Sequence, residues 1–168
     1  MDRRLFMQAS AAVPLLGGGA AVAASTAPDY FAIAKKVITA WRARDLEAML
    51  THIDDDIVWH LHVGSPPIVG KVAMRDSAAK LSAQMSDIKW RIFETATHGN
   101  KVFVEGVDDF VTSEGRRVVQ PYAGILAFKG ERISEWRDYF DRGVFERLKA
   151  GEPMPDYLQA LADRPALF

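Results

Sequence analysis

Four strand-like runs follow one another in the second half of the chain: "IKWRIFETATHG", "KVFVEGVDDFVT", "RRVVQPYAGILAFKG" and "RISEWRDYFD". Turn residues at His98–Asn100, Ser113–Gly115 and Lys129–Glu131 separate them. Short connections of this kind favour antiparallel hairpins. The segment before them reads differently. In "DYFAIAKKVITAWRARDLEAMLTHI" the apolar residues Phe31, Ala34, Val37, Ile38 and Trp41 recur at helical spacing, and a break near Arg44–Asp45 starts a second short helix. "DIVWHLHV" alternates as a strand does, "GSPP" ends it, and "GKVAMRDSAAKLSAQM" reads as a further helix. "RGVFERLKAG" is expected to cap the sheet as a helix, and the Pro-rich end beyond Gly151 to be irregular. The order predicts an α+β fold. A curved antiparallel sheet wraps over N-terminal helices and forms a cone with an apolar pocket.

The length of 168 residues suits one domain with a substantial core. We place it at 28–150, with a C-terminal tail at 151–168. A net charge of −1 and the lack of any basic run give no electrostatic footprint for nucleic acid. No cysteine is present, which excludes disulfides, thiolate zinc sites and a cysteine nucleophile. Residues 1–24 have a charged start, a modest apolar stretch and small residues at the end, the pattern of a secretory signal. Arg3 and Arg4 followed by Leu5 and Phe6 resemble a twin-arginine export signal. The expectation is cleavage after Ala23 or Ala24, a periplasmic mature protein and no stable membrane anchor.

"EWRDYFD" carries the sharpest functional hint. Trp136, Asp138 and Phe140 share one face of a strand, so a carboxylate sits between aromatic residues on a face that looks inward. Such a group is costly unless it is paired or used. On "KVFVEGVDDF" the largely apolar face of Val102, Val104, Gly106, Asp108 and Phe110 has Asp108 as its exception. On "DIVWHLHV", Val58, His60 and His62 share a face. Two carboxylates and two imidazoles are therefore expected to converge. Each has a plainer reading: either aspartate can be a structural ion pair, and the histidines can be ordinary core or surface residues. Together the four could also ligate a metal, although their spacing matches no specific metal motif. Trp41, Phe110, Tyr122, Trp136 and Phe140, with Gly106, are the expected substrate-contacting wall.

"EWRDYFD" with the following "RGVFER" resembles the C-terminal signature of limonene-1,2-epoxide hydrolases. These belong to the nuclear transport factor 2-like superfamily, with SnoaL-like polyketide cyclases, ketosteroid isomerases and scytalone dehydratases. The likeness runs from about Tyr30 to Lys149. It implies the cone fold and a homodimer. It also implies an Asp–Arg–Asp set in which one Asp activates water, the other protonates the epoxide oxygen, and a Tyr and an Asn hold the water. By the resemblance, Asp138 and Asp108 match the two aspartates. Gly106 stands at the arginine position, and His60 and His62 stand at the Tyr and Asn positions. A glycine supplies neither charge nor bidentate geometry and is expected to leave space.

These readings converge on a cofactor-independent, metal-independent acid–base enzyme of the lyase, isomerase or dehydratase type. Its substrate is expected to be an apolar, oxygenated small molecule, aromatic ones included. An epoxide hydrolase with a rewired site, a non-catalytic periplasmic binder of an apolar ligand and a metal-dependent enzyme are the alternatives.

Overall fold

The computed structural model describes residues 28–168. The expected export segment therefore lies outside the described residues. Helix α1 (Tyr30–Arg42) starts where the Asp29 side chain accepts the Ala32 N–H at 2.9 Å, and it buries Ile33, Ala34, Val37, Ile38 and Ala40. The predicted break falls at Arg44, which adopts φ 59°. Asp45 then caps the short α2 (Leu46–Leu50) by accepting the Ala48 N–H at 2.9 Å. Strands β1 (Ile53–His60) and β2 (Ile68–Val69), helix α3 (Lys71–Ala83) and strand β3 (Met85–Ser86) follow. The meander comprises β4 (Arg91–His98), β5 (Lys101–Thr112), β6 (Arg117–Lys129) and β7 (Arg132–Phe140). Helices α4 (Arg142–Lys149) and α5 (Asp156–Asp163) complete the chain.

The seven strands among the described residues form one curled sheet in the order β2-β1-β7-β6-β5-β3, with β4 also paired to β5. The four runs of the second half pair antiparallel, as their turns predict. Strand β1 departs from that expectation. It lies parallel to β7, with Trp59 beside Trp136 and His60 beside Arg137, so the sheet is mixed. No hairpin turn links these two strands, so turn chemistry does not set their direction. Helices α1 to α3 fill the concave side. Val37, Ile38, Met49 and Met74 pack there against Ile53, Ile92, Val102, Leu126 and Ile133 of the sheet. None of the helices among the described residues is long and apolar enough to cross a membrane.

The tail is more regular than expected. Pro153 and Pro155 punctuate it, but Pro155 sits at the N-cap of α5, where its fixed φ is compatible with a helix start. Leu158 and Ala162 of α5 are buried with Val144 and Leu148 of α4 against Phe110 and Val118. The last residues add to the edge of β4: the Leu167 N–H donates to the Ile92 carbonyl at 2.8 Å, and the Ile92 N–H donates to the Phe168 carbonyl at 2.9 Å. Arg42 lies 4.4 Å from the Phe168 ring centre and donates from Nε to the Trp90 carbonyl at 2.8 Å. The C-terminus thus braces the backbone of one residue of the cavity wall.

Candidate active site

A cavity of about 430 Å³ opens between the curled sheet and helices α1 to α4. Its wall is mostly apolar and aromatic, with Trp41, Trp59, Trp90, Phe110, Tyr122, Trp136, Phe140 and Phe145 contributing rings. The carboxylates on it are Asp108 and Asp138. This volume lies in the range of sites for small organic ligands.

Asp138 is 7% exposed. Trp136 Nε1 donates to its Oδ1 at 2.6 Å, Trp59 Nε1 donates to Oδ2 at 3.1 Å, and the Tyr122 hydroxyl donates to Oδ1 at 2.5 Å. The sheet explains this convergence. Trp59 and Trp136 are neighbours across the β1–β7 pair, and their rings lie 5.9 Å apart. Asp138 faces Gly124 across the β6–β7 pair. Tyr122, two residues back on β6, lays its ring over Gly124 to reach the carboxylate. A Cβ at position 124 would overlap the Tyr122 hydroxyl and come within 2.8 Å of Cζ. Burial pushes the Asp138 carboxyl up to about 7, and the nearby Asp108 charge adds to that; the three donated hydrogen bonds oppose it. Burial and the Asp138 charge also push the Tyr122 phenol well above its ordinary range.

Asp108 is held more loosely. Its polar side-chain contact is Gln120 Nε2, at 3.5 Å from Oδ2. Burial pushes its carboxyl up to about 6, with a smaller contribution from Asp109 and the Gln120 contact opposing. Asp109 points the other way and is 3% exposed. Arg117 clasps it through Nε and Nη2 at 2.9 and 2.8 Å. Of the two adjacent aspartates, one is a structural ion pair and the other lines the cavity.

The remaining sequence-predicted residues divide. His62 lines the cavity, with its ring 4.9 Å from Phe140, but His60 does not. On β1 the inward face is Ile57 and Trp59; His60 faces outward beside Arg137, 3.9 Å from Glu135. His62 reaches the cavity because β1 ends at His60 and the chain bends there. The two imidazoles do not converge with the aspartates as a set of four. Among the described residues, no group of three or more His, Asp and Glu side chains is placed to hold a metal ion. Trp41, Phe110, Tyr122, Trp136 and Phe140 all line the cavity. Gly106 does not, and it leaves no space. A Cβ there would overlap the Arg91 carbonyl oxygen and lie 3.0 Å from its carbon, because β4 carries an irregularity opposite this point. Gly106 serves a close backbone approach.

Trp59 and Gln120 reach the site without having been singled out in the sequence. The signal for Trp59 was present: Ile57, Trp59 and Leu61 form the more apolar of the two alternating faces of that strand. Gln120 had the weaker cue of lying two residues before Tyr122 on the same face.

A curled mixed sheet closed by N-terminal helices around an apolar cavity, with carboxylates on its wall, is the nuclear transport factor 2-like cone fold. Residues 34–136 match the SnoaL-like domain, and the chain belongs to that family. Solved structures repeat the fold. An LEH-like epoxide hydrolase from M. tuberculosis is 23% identical, with a TM-score of 0.63, over 71% of this chain and 89% of that one. A candidate SnoaL-like polyketide cyclase from Shewanella denitrificans is 14% identical, with a TM-score of 0.68, over 74% and 99% of the two chains. A candidate isomerase from Bacillus subtilis is 22% identical, with a TM-score of 0.62, over 75% and 96%. A search of curated proteins finds no match.

Proposed function

We propose that the chain is an acid–base enzyme of the lyase, isomerase or dehydratase type that needs no cofactor and acts on an apolar, oxygenated small molecule. The observation that carries this reading is the pair of cavity carboxylates, both with weakened acidity. With the two carboxyls pushed up to about 6 and about 7, the pair holds a proton near neutral pH while retaining basic capacity. Proton transfer by such groups in a mostly aromatic cavity suits enolisation, elimination or isomerisation next to a carbonyl. Export by the twin-arginine route and a homodimer belong to the same reading. Exposed Phe103 and Tyr139 offer apolar surface to a second copy.

Epoxide hydrolysis is the second reading, favoured by the two aspartates in the "EGVD" and "WRDYFD" segments. The experiment that separates the readings is a panel of hydroxyketones, enones and cyclohexene epoxides incubated with the protein in oxygen-labelled water. Loss of water or an isomer of unchanged mass supports the proposal. A diol carrying label from an epoxide, formed faster than any other product, replaces it with hydrolysis. Tight binding without any new species on chromatography replaces both with a binding protein.

A further inference from the structure

We propose that the two cavity carboxylates divide the work: Asp108 exchanges the proton with the substrate, and Asp138 is a positioning residue that fixes Tyr122 and the two indoles. This rests on the acid–base reading above and goes beyond it by assigning the roles.

The division follows from where the lone pairs are. A carboxylate offers about four acceptor sites. Asp138 uses three of them, on Trp136, Tyr122 and Trp59, and both donors to Oδ1 are at 2.6 Å or less. The donors come from three strands, β1, β6 and β7, so no single side-chain rotation frees the carboxylate. Its removal would leave two buried indole N–H groups and a buried hydroxyl without their acceptor. Asp108 is the opposite case. Among the described residues one side-chain contact, at 3.5 Å, holds it; it keeps partial exposure, and its strand neighbour Phe110 lines the same cavity. A base must present a free lone pair to the substrate, and Asp108 has it.

In the step assigned here, Asp108 takes a proton from a substrate C–H beside a carbonyl, and the electron pair of that bond stays on the substrate. The Tyr122 hydroxyl, kept protonated and held by its bond to Asp138, lies on the same wall. Asp108 then returns the proton to carbon in an isomerisation, or to the leaving oxygen in an elimination. The other titratable or charged groups around the pair are His62 after β1 and Arg142 at the start of α4, on the cavity wall, and Asp109 behind it on β5.

The test has a substrate-free arm and a kinetic arm. In the first, carbodiimide with glycinamide modifies carboxyls at mildly acidic pH, and peptide mapping follows positions 108 and 138. Asp108 should be amidated and Asp138 protected, and Tyr122→Phe, which frees one lone pair, should raise the rate at Asp138. In tryptophan labelled with nitrogen-15, the two indole signals that vanish in Trp59→Phe and Trp136→Phe should shift upfield in Asp138→Asn and stay in Asp108→Asn. Equal amidation of both carboxyls, or indole signals that follow Asp108→Asn instead, would overturn the division. In the kinetic arm, on the hydroxyketone or enone turned over in the panel, Asp108→Asn should lose roughly 10²–10⁴-fold in kcat together with the acid limb of the pH profile. Asp138→Asn, or Tyr122→Phe if that variant does not fold, should lose activity but keep the limb. A limb that disappears with Asp138 alone overturns the roles and leaves the enzyme reading intact. Full turnover in both Asn variants removes the enzyme reading itself.

Discussion

Gly124→Ala adds one methyl group at the point where the Tyr122 ring crosses the strand. The new Cβ would overlap the Tyr122 hydroxyl, come within 2.8 Å of Cζ and lie 3.1 Å from Cε1. The hydroxyl must move by about 1 Å to reach ordinary contact, and a shift of that size along its 2.5 Å bond to Asp138 leaves hydrogen-bonding range. The ring has little freedom to follow, because Tyr122 is 5% exposed and packs edge-on against Trp90 at 5.1 Å. Above pH 7, where Asp138 is ionised, losing a hydrogen bond to a charged acceptor costs about 1.5–3 kcal/mol. Replacing a strand glycine by alanine returns about 0.5–1 kcal/mol through lost unfolded-state freedom. The net expectation is a destabilisation of about 0.5–2.5 kcal/mol, read by urea unfolding. In the Tyr122→Phe background the hydroxyl is already gone, so Gly124→Ala should cost less there, and the two changes should be non-additive. A Gly124→Ala protein as stable as the parent, or strictly additive costs, would refute the account of how Tyr122 reaches Asp138.

Gly106→Ala should destabilise more than Gly124→Ala, because the clash is with the Arg91 backbone, which cannot swing aside; a chevron or urea midpoint close to the parental one would count against it. Stability should fall as pH rises from about 4 to 7: both cavity carboxyls bind protons more tightly in the folded state, to about 6 and about 7, than at their ordinary value of 3.8. His52, whose pKa burial lowers, works in the opposite sense near its ordinary value of 6.5. Asp108→Asn should flatten the slope, and an unchanged slope would show that Asp108 ionises as freely in the folded chain as in the unfolded one. Replacing Arg3 and Arg4 by Lys should retain the protein in the cytoplasm on fractionation; unchanged delivery to the periplasm would remove the twin-arginine route.

Much of the cone was legible because its signals are local. Three short turns specify the β4–β7 meander, and Asp29 and Asp45 mark helix starts one or two residues from where periodicity places them. Asp138 was legible for the same reason, since alternation alone puts it between Trp136 and Phe140. What escaped depended on contacts far apart in sequence. The direction of β1 and the inward turn of Trp59 are set by β7, more than seventy residues later. His60 and His62 read as one face because alternation was extended past the point where the strand ends. Gly106 read as an opening because a missing side chain looks like space; only the position of the Arg91 carbonyl shows that the gap is already filled by backbone. The helical tail was hidden behind two prolines, although Leu158, Leu161 and Ala162 carry a helical spacing.

The parallel pairing of β1 with β7 has a consequence for the order in which the protein is made. The hairpins of β4 to β7 join near neighbours and can form as they emerge from the ribosome, whereas β1 must wait for the last strand before it has a place in the sheet. Trp59 is synthesised 79 residues ahead of the aspartate that accepts its N–H. The carboxylate that accepts both indole N–H groups thus meets Trp59 only once the last strand is made. A chain stalled before residue 138 holds an indole with no acceptor and a cone open along one seam.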